Sequence, residues 1–305
     1  MADYSHLCGL HQDQREIDNI LPTLPFPNIA SCNMAIKDSG KGKTVLLFHF
    51  LEIVTGAKFV DLLQVGPDCV SMGAACATDV LKSVQHVLNK TMEQFVGRTS
   101  TELYYGGSRV EIGKGQLGRG GGSMGIWAAK YGQQYGTLAR GVYGKYDLSV
   151  YDYNKSELWG RPGVGVPDEL EVLAKEHKVG TITQVSTFNE AIDCLANGYP
   201  ITIASNCGFN TTRDKDGFLR RSGSWPHQMC IIGYKDDNRP GVLIENSWGS
   251  DWVNGPKGDY EFEIPDGSFW CDADTLERFI LSQGDSWAYS NFNGYPPQKL
   301  DLDWL

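Results

Sequence analysis

Two apolar runs late in the chain, residues 229–233 and 242–244, flank a segment rich in turn formers: Asp236, Asp237, Asn238, Pro240 and Gly241. Short apolar runs punctuated in this way read as the paired strands of a β-hairpin. His227 lies just before the first run and Asn246 just after the second. Pairing the strands brings the imidazole and the carboxamide together, because cross-strand neighbours lie about 5 Å apart. An imidazole held by a side-chain carbonyl is fixed in one tautomer, and its other nitrogen is left to take a proton from a nucleophile. The chain is thereby committed to a sheet that presents a base.

A nucleophile has to come from elsewhere. Of the eight cysteines, at positions 8, 32, 69, 76, 194, 207, 230 and 271, one has a suitable setting. Cys69 follows the turn-forming stretch Gln64, Val65, Gly66, Pro67, Asp68 and opens a helical pattern over residues 70–88, with Ala74, Ala75, Ala77, Val80, Leu81 and Val84. A thiol on the first turn of a helix feels the positive end of the helix dipole, which favours thiolate. Cys76, two turns deeper, reads as buried. Asp68 is placed to cap the helix, but its charge opposes thiolate formation at Cys69.

With Cys69, His227 and Asn246 in this order, residues 58–265 resemble the papain-like cysteine peptidase family. The resemblance puts the family's oxyanion-hole glutamine at Gln64 and its nucleophile at Cys69. Thr101, Glu102 and Leu103 resemble the segment before the substrate cleft. Gly120, Gly121 and Gly122, followed by Trp127 to Tyr131, resemble the glycine pair and helix lining the cleft, and Met124 is expected to wall its main side-chain pocket. Residues 185–196 and 199–203 resemble the helix and strand that open the second lobe. Trp248 and Trp252 match the two tryptophans flanking the asparagine and are expected at the substrate site. The resemblance implies an α+β, two-lobed fold, with a helical lobe carrying Cys69 and a β-rich lobe carrying His227 and Asn246. It also implies a polypeptide substrate, hydrolysed through a thioester acyl-enzyme without cofactor or metal.

The departures are specific. Val70 stands where the family has an aromatic residue, Gly66 where it has a cysteine, and Gln64 is one residue closer to the nucleophile than usual. They motivate an alternative, a papain-fold assembly component of a virus particle with weak or no peptidase activity. Another acyl transfer, such as peptidoglycan amide cleavage or transglutamination, is compatible with the residue order.

Two segments flank the resemblance. Residues 1–57 are expected to form an N-terminal extension packed on the body, with a helix over 44–55 and without the long charged helices of an inhibitory propeptide. Residues 266–305 are expected as a C-terminal extension, with a capped helix at 272–279 and an aromatic tail, Trp287, Tyr289, Phe292, Tyr295 and Trp304, that folds back. The boundary between lobes is placed at 160–167, where Gly160, Pro162, Gly163, Gly165 and Pro167 cluster. Phage-encoded and bacterial papain-like proteins carry a similar ending, so the extensions are also candidate docking sites for other particle proteins.

Composition removes several classes. A net charge of −10 with 27 dispersed Lys and Arg leaves no basic footprint for nucleic acid. The longest apolar run, residues 45–51, spans seven positions and contains His49, which excludes a membrane helix. The N-terminus has no secretory apolar core, so a cytoplasmic or virion-associated location is expected, and the sequons at Asn89, Asn154 and Asn210 read as chance. The cysteines have no disulfide-framework or metal-ligand spacing, and reduced thiols are expected.

Overall fold

In the computed structural model, which describes residues 3–32, 34–88 and 96–300, the chain opens with α1 (Gln14–Ile20), α2 (Ile29–Cys32), β1 (Thr44–Leu46) and α3 (Phe48–Thr55). A helical part follows: α4 (Cys69–Val87), α5 (Thr101–Gly107), α6 (Gly125–Gln134), the small hairpin β2 (Val142–Tyr143) and β3 (Tyr146–Asp147), α7 (Tyr153–Trp159) and α8 (Asp168–Ala174). The sheet part comprises β4 (Thr181–Gln184), α9 (Phe188–Ala196), β5 (Ile201–Phe209), β6 (Arg221–Lys235), β7 (Gly241–Glu245), β8 (Phe269–Asp272), α10 (Ala273–Thr275) and β9 (Asp285–Ser290). Asn89 and Trp304 lie outside the described residues.

The alanines of α4 let it be buried all round, and it joins two apolar cores. Val70, Ala74 and Ala75 pack with Leu103, Tyr104, Tyr131, Leu170 and Ala174. Cys76, Ala77, Val80, Leu81 and Val84 turn towards Ile201, Ile231 and Ile244 of the sheet. The helical core extends through Val166, Leu170 and Ala174. The passage between lobes therefore falls after Ala174 rather than at 160–167, because α8 is tied to the helical core by its own apolar face.

The seven-stranded sheet runs β4-β9-β5-β6-β7-β8, with β1 on β6, and its pairs are antiparallel. Two expectations change here. Thr44 to Leu46 pair with β6 in the register Thr44↔Lys235 and Leu46↔Gly233, so the helix expected over 44–55 begins only at Phe48. Residues beyond 265 are not an appendage: β8 pairs with β7, and β9 lies between β4 and β5 with every residue buried. The aromatic pattern of the tail, with Trp287 and Tyr289 fully buried, marks a central strand. Asp272 accepts from the Thr275 N–H at 2.9 Å and caps the helical turn that follows it, as its sequence suggests.

The hairpin of β6 and β7 forms with Cys230↔Glu245 as its last pair on the site side. Asn246 follows at once, diagonal to His227. The loop before α4 is fastened to the loop after β7, since Gln64 N–H donates to Ser247 O at 2.9 Å and Leu63 bridges Trp248.

Candidate active site

Cys69, the first residue of α4, is completely buried. Asp68 stands at the N-cap position but its carboxyl does not cap the helix. The Asp68 carbonyl closes the first turn instead, accepting from Ser71 and Met72 N–H at 3.0 and 3.2 Å. The carboxyl turns to Tyr151, whose hydroxyl donates to it at 2.7 Å, and its burial pushes the pKa up to about 7. The expected cap is thus replaced by a buried acid that burial pushes towards its neutral form.

The N-terminus of α4 is stitched to β6. Gln228 Nε2 donates to Val70 O at 2.8 Å, and the Gln228 backbone N–H lies close enough to the Cys69 sulfur to favour its thiolate. His227, immediately before Gln228, is buried and donates from Nε2 to Asn246 Oδ1 at 2.7 Å. Its Nδ1 is buried without a protein partner. The Trp248 ring lies over His227, with centroids 4.7 Å apart. The thiol, the imidazole and the amide thus come from one helix start, one strand and the loop after the next strand.

What fills the cleft is the chain's own N-terminus. Residues 4–12 form a strap across it. Gly9 N–H donates to Cys69 Sγ at 3.3 Å. Leu10 N–H donates to Pro226 O at 3.0 Å on the sheet side; His11 N–H donates to Ser123 O, and Ser123 N–H to Gly9 O, both at 2.8 Å on the helical side. The Leu10 side chain is buried in the cluster that contains Cys69 and Val70. Tyr4 stacks on Trp248 at 4.7 Å and 8°. The fit depends on two glycines. A Cβ on Gly9 would come within 1.9 Å of Pro67 O, and one on Gly122, at φ +89°, within 2.1 Å of Gly9 O.

The strap also engages Gln64. The Nε2 of that side chain donates to Leu7 O at 2.8 Å and Gly66 O at 2.6 Å, while its Oε1 accepts from Ser247 Oγ at 2.6 Å. Both amide hydrogens are in use, one of them on the strap's own carbonyl.

Burial sets the electrostatics. It raises the Cys69 thiol to about 12, against the pull of the Gln228 and Gly9 N–H groups; the charges of Cys8 and Asp68 add smaller upward pushes. It lowers His227 to about 4, against the Asn246 hydrogen bond. The shifts favour a neutral thiol at Cys69 and a neutral imidazole at His227. The opposition expected from Asp68 is therefore minor next to desolvation.

The remaining expected residues divide. Gly122 meets the strap backbone, and Gly121 O accepts from His11 Nε2 at 2.8 Å. The Gly120 carbonyl is held by Arg109 at 2.6 Å, and the nearest atom to a Cβ built there is Leu117 O at 3.5 Å. Met124 is buried in the core that α4 shares with the sheet. Trp252 is buried against Trp225, Trp248 and Phe269, with Nε1 bonded to Gly267 O at 2.7 Å, so it supports Trp248 from within and does not face the cleft. The strap, Ser123, Pro226 and Gln228 escaped sequence reasoning. The signal was local: Gly9 between Leu7 and Leu10 is a small residue set among apolar ones. Among the described residues no group of three or more His, Cys, Asp or Glu could hold a metal ion, and no helix is long and apolar enough to cross a membrane.

No family model and no curated protein matches the chain. Among solved structures it is similar to xylellain, a cysteine protease from Xylella fastidiosa, with a TM-score of 0.57 and 16% identity over 96% of this chain and 99% of that one. It is also similar to procathepsin B S9 from Trypanosoma congolense, with a TM-score of 0.52 and 11% identity over 96% of this chain and 88% of that one. The α+β architecture, the helix that begins at Cys69 and the hairpin that carries His227 and Asn246 are together a papain-like cysteine-protease fold.

Proposed function

We propose that the protein is a cysteine-type endopeptidase in a closed, latent state. Cys69 is the nucleophile, His227 the base and Asn246 the residue that fixes its tautomer. The observation that carries this reading is the His227 Nε2 to Asn246 Oδ1 bond of 2.7 Å, which leaves a buried Nδ1 without a protein partner on the residue next to Gln228, whose side chain bonds the start of α4. With the strap displaced, Nδ1 takes the Cys69 proton, and the thiolate attacks a substrate carbonyl carbon to give a tetrahedral adduct. Gln64 Nε2, relieved of Leu7 O, is the side-chain donor available to the developing oxyanion; one such donor contributes about 3–4 kcal/mol in comparable sites. Collapse to a thioester expels the amine, which His227 protonates, and water attacks the thioester to release the acid and restore the thiol.

The closed state explains why the site is latent. An amide N–H, not a carbonyl carbon, sits on the sulfur, so the strap occupies the nucleophile without offering it an electrophile. Opening rehydrates both partners and moves the thiol down and the imidazole up, towards the ion pair.

The test uses the full-length chain with Leu10→Asp, which places a charge where a buried side chain anchors the strap. Cleavage of an unstructured protein substrate and labelling of Cys69 by a thiol-directed epoxide should both rise, and His227→Ala in that background should lower cleavage at least about a hundredfold. Absence of any Cys69 adduct in the opened variant would favour the second reading, a papain-fold assembly component without peptidase activity. That reading is favoured by the complete burial of Cys69 and the engaged Gln64 amide.

A further inference from the structure

We propose that Cys8 and Cys69 form a reversible disulfide that locks the strap into the cleft, a redox regulation of the site that rests on the peptidase reading above. The strap positions them. Gly9 N lies 3.3 Å from Cys69 Sγ, and standard backbone geometry puts Cys8 Cα about 2.4 Å from that nitrogen. Cys8 Cα is therefore within roughly 6 Å of the Cys69 sulfur. Disulfides join Cα atoms about 4.4–6.8 Å apart, a span within reach of this approach once the Cys8 side chain rotates. The Cys8 thiol donates in a long contact to Tyr4 O, 3.7 Å, and its side chain rests against the edge of the sheet-side core. Cys8 is partly exposed, whereas Cys76, the next thiol along α4, is buried. The two sulfurs also sense each other, since charge on Cys8 raises Cys69.

A small disulfide of the oxidised-glutathione class supplies the oxidant. In a transient opening, His227 takes the Cys69 proton and the thiolate attacks that disulfide. One S–S bond breaks, one forms, and a small thiolate leaves with the electron pair and picks up the proton. As the strap returns, before it is seated and buried, the Cys8 thiolate attacks the Cys69 sulfur, forms the internal bond and expels the second small thiolate, which takes up the proton Cys8 gave to solvent. Two protein thiols are oxidised and one small disulfide is reduced to two thiols. In the closed state burial holds Cys8 at about 11 and Cys69 at about 12, so exchange proceeds from the opened state and the reduced latch resists casual oxidation. A small thiol in excess reverses both steps.

The experiment incubates the full-length chain with oxidised glutathione, blocks free thiols and digests with trypsin without reductant. The expected product is a linked pair, the peptide ending at Arg15 joined through Cys8 to Cys69 of residues 59–82, two hydrogen masses below the sum of the free thiols. Fragment ions must place the link on Cys69 and not Cys76. Dithiothreitol should release it, and Cys8→Ser should carry glutathione on Cys69 instead. Oxidation should slow alkylation of Cys69 at least tenfold in the wild type, with recovery on reduction. Wild-type protein that accumulates glutathionyl-Cys69 to the same level as Cys8→Ser, with no 8–69 link, would overturn the proposal. The link needs no catalysis to be seen. If it forms while the reduced Leu10→Asp chain cleaves nothing, the latch stands and the peptidase reading falls. If that chain cleaves substrate and no link forms, only the latch falls.

Discussion

The two ends of the chain read alike in sequence, as extensions of a central domain, and they do opposite things. β9 lies between two strands and is paired on both edges, Thr202↔Trp287 with β5 and Gln184↔Trp287 with β4. Its Asp285 also receives Trp287 Nε1 at 2.6 Å and Gly125 N–H at 3.0 Å, which ties the strand to the start of α6. The strap has no continuous ladder. It is held by scattered hydrogen bonds to Pro226, Ser123, Gly121, Cys69, Gln64, Gln283 and Asn206, by two buried leucines, Leu7 and Leu10, and by one stacked tyrosine. A strand laddered on both edges opens only with the fold, whereas a segment held at scattered points can open locally. β9 is therefore part of the fold itself, and the strap is the segment to which the proposed latency assigns control.

The sharpest way to break this contrast is Trp287→Ala. Removing a fully buried indole from the central strand should cost about 3–5 kcal/mol in urea unfolding; a loss below 1 kcal/mol would mean that β9 is as dispensable as the strap. Deleting residues 1–12 should leave the unfolding midpoint close to that of the full chain and raise the rate of Cys69 alkylation by iodoacetamide at pH 7.5 at least tenfold. A deletion that unfolds the protein would make the strap structural. Gly122→Ala is a milder version, because the new Cβ meets Gly9 O at 2.1 Å on a backbone at φ +89°. Relief comes most easily from the strap, so alkylation should rise severalfold with a stability loss of about 1 kcal/mol.

The pH dependence of stability separates the two ends by a smaller effect. Asp68 and Glu245 are raised by burial to about 7 and about 8, and Asp285 to about 6. Each binds its proton more tightly folded than unfolded, so its stabilising contribution is present below the unfolded pKa and is lost as pH rises through the folded value. His227, lowered to about 4, acts oppositely between pH 4 and 6.5 and is silent above that window. The melting temperature should therefore fall between pH 6.5 and 8, with no opposing term from His227. Deleting the strap should shrink the Asp68 share by admitting water, and leave unchanged the share of Asp285 in β9, which is lost as pH rises to about 6, below this window. A melting temperature that rises with pH across this window would contradict the burial assigned to these carboxyls.

Legibility followed the range of the forces involved. Helix α4 was readable from residues 70–88 because small and apolar positions recur along a single element, and the β6–β7 hairpin because its turn residues sit between two apolar runs. The resemblance likewise anticipated the two-lobed α+β arrangement. Asp68 misled because capping is a local rule, whereas its side chain is claimed by Tyr151, 83 positions away. Trp252 misled because an indole beside a site motif looks like cleft lining, although its nitrogen is satisfied inside the sheet lobe. The boundary at 160–167 misled because glycine and proline mark a turn without saying which core the next helix will join.

By itself, then, the sequence determined the elements and the order of the chemistry-bearing residues: a thiol at a helix start, an imidazole entering a strand, an amide leaving the next. Spacing and turn chemistry act over a few residues, and that is enough to place such groups on their elements. Only the tertiary structure decided what those groups face. Burial, which no local pattern specifies, holds Cys69 and His227 neutral, and contacts between residues 7–10 and positions more than fifty residues away lay the strap on the sulfur.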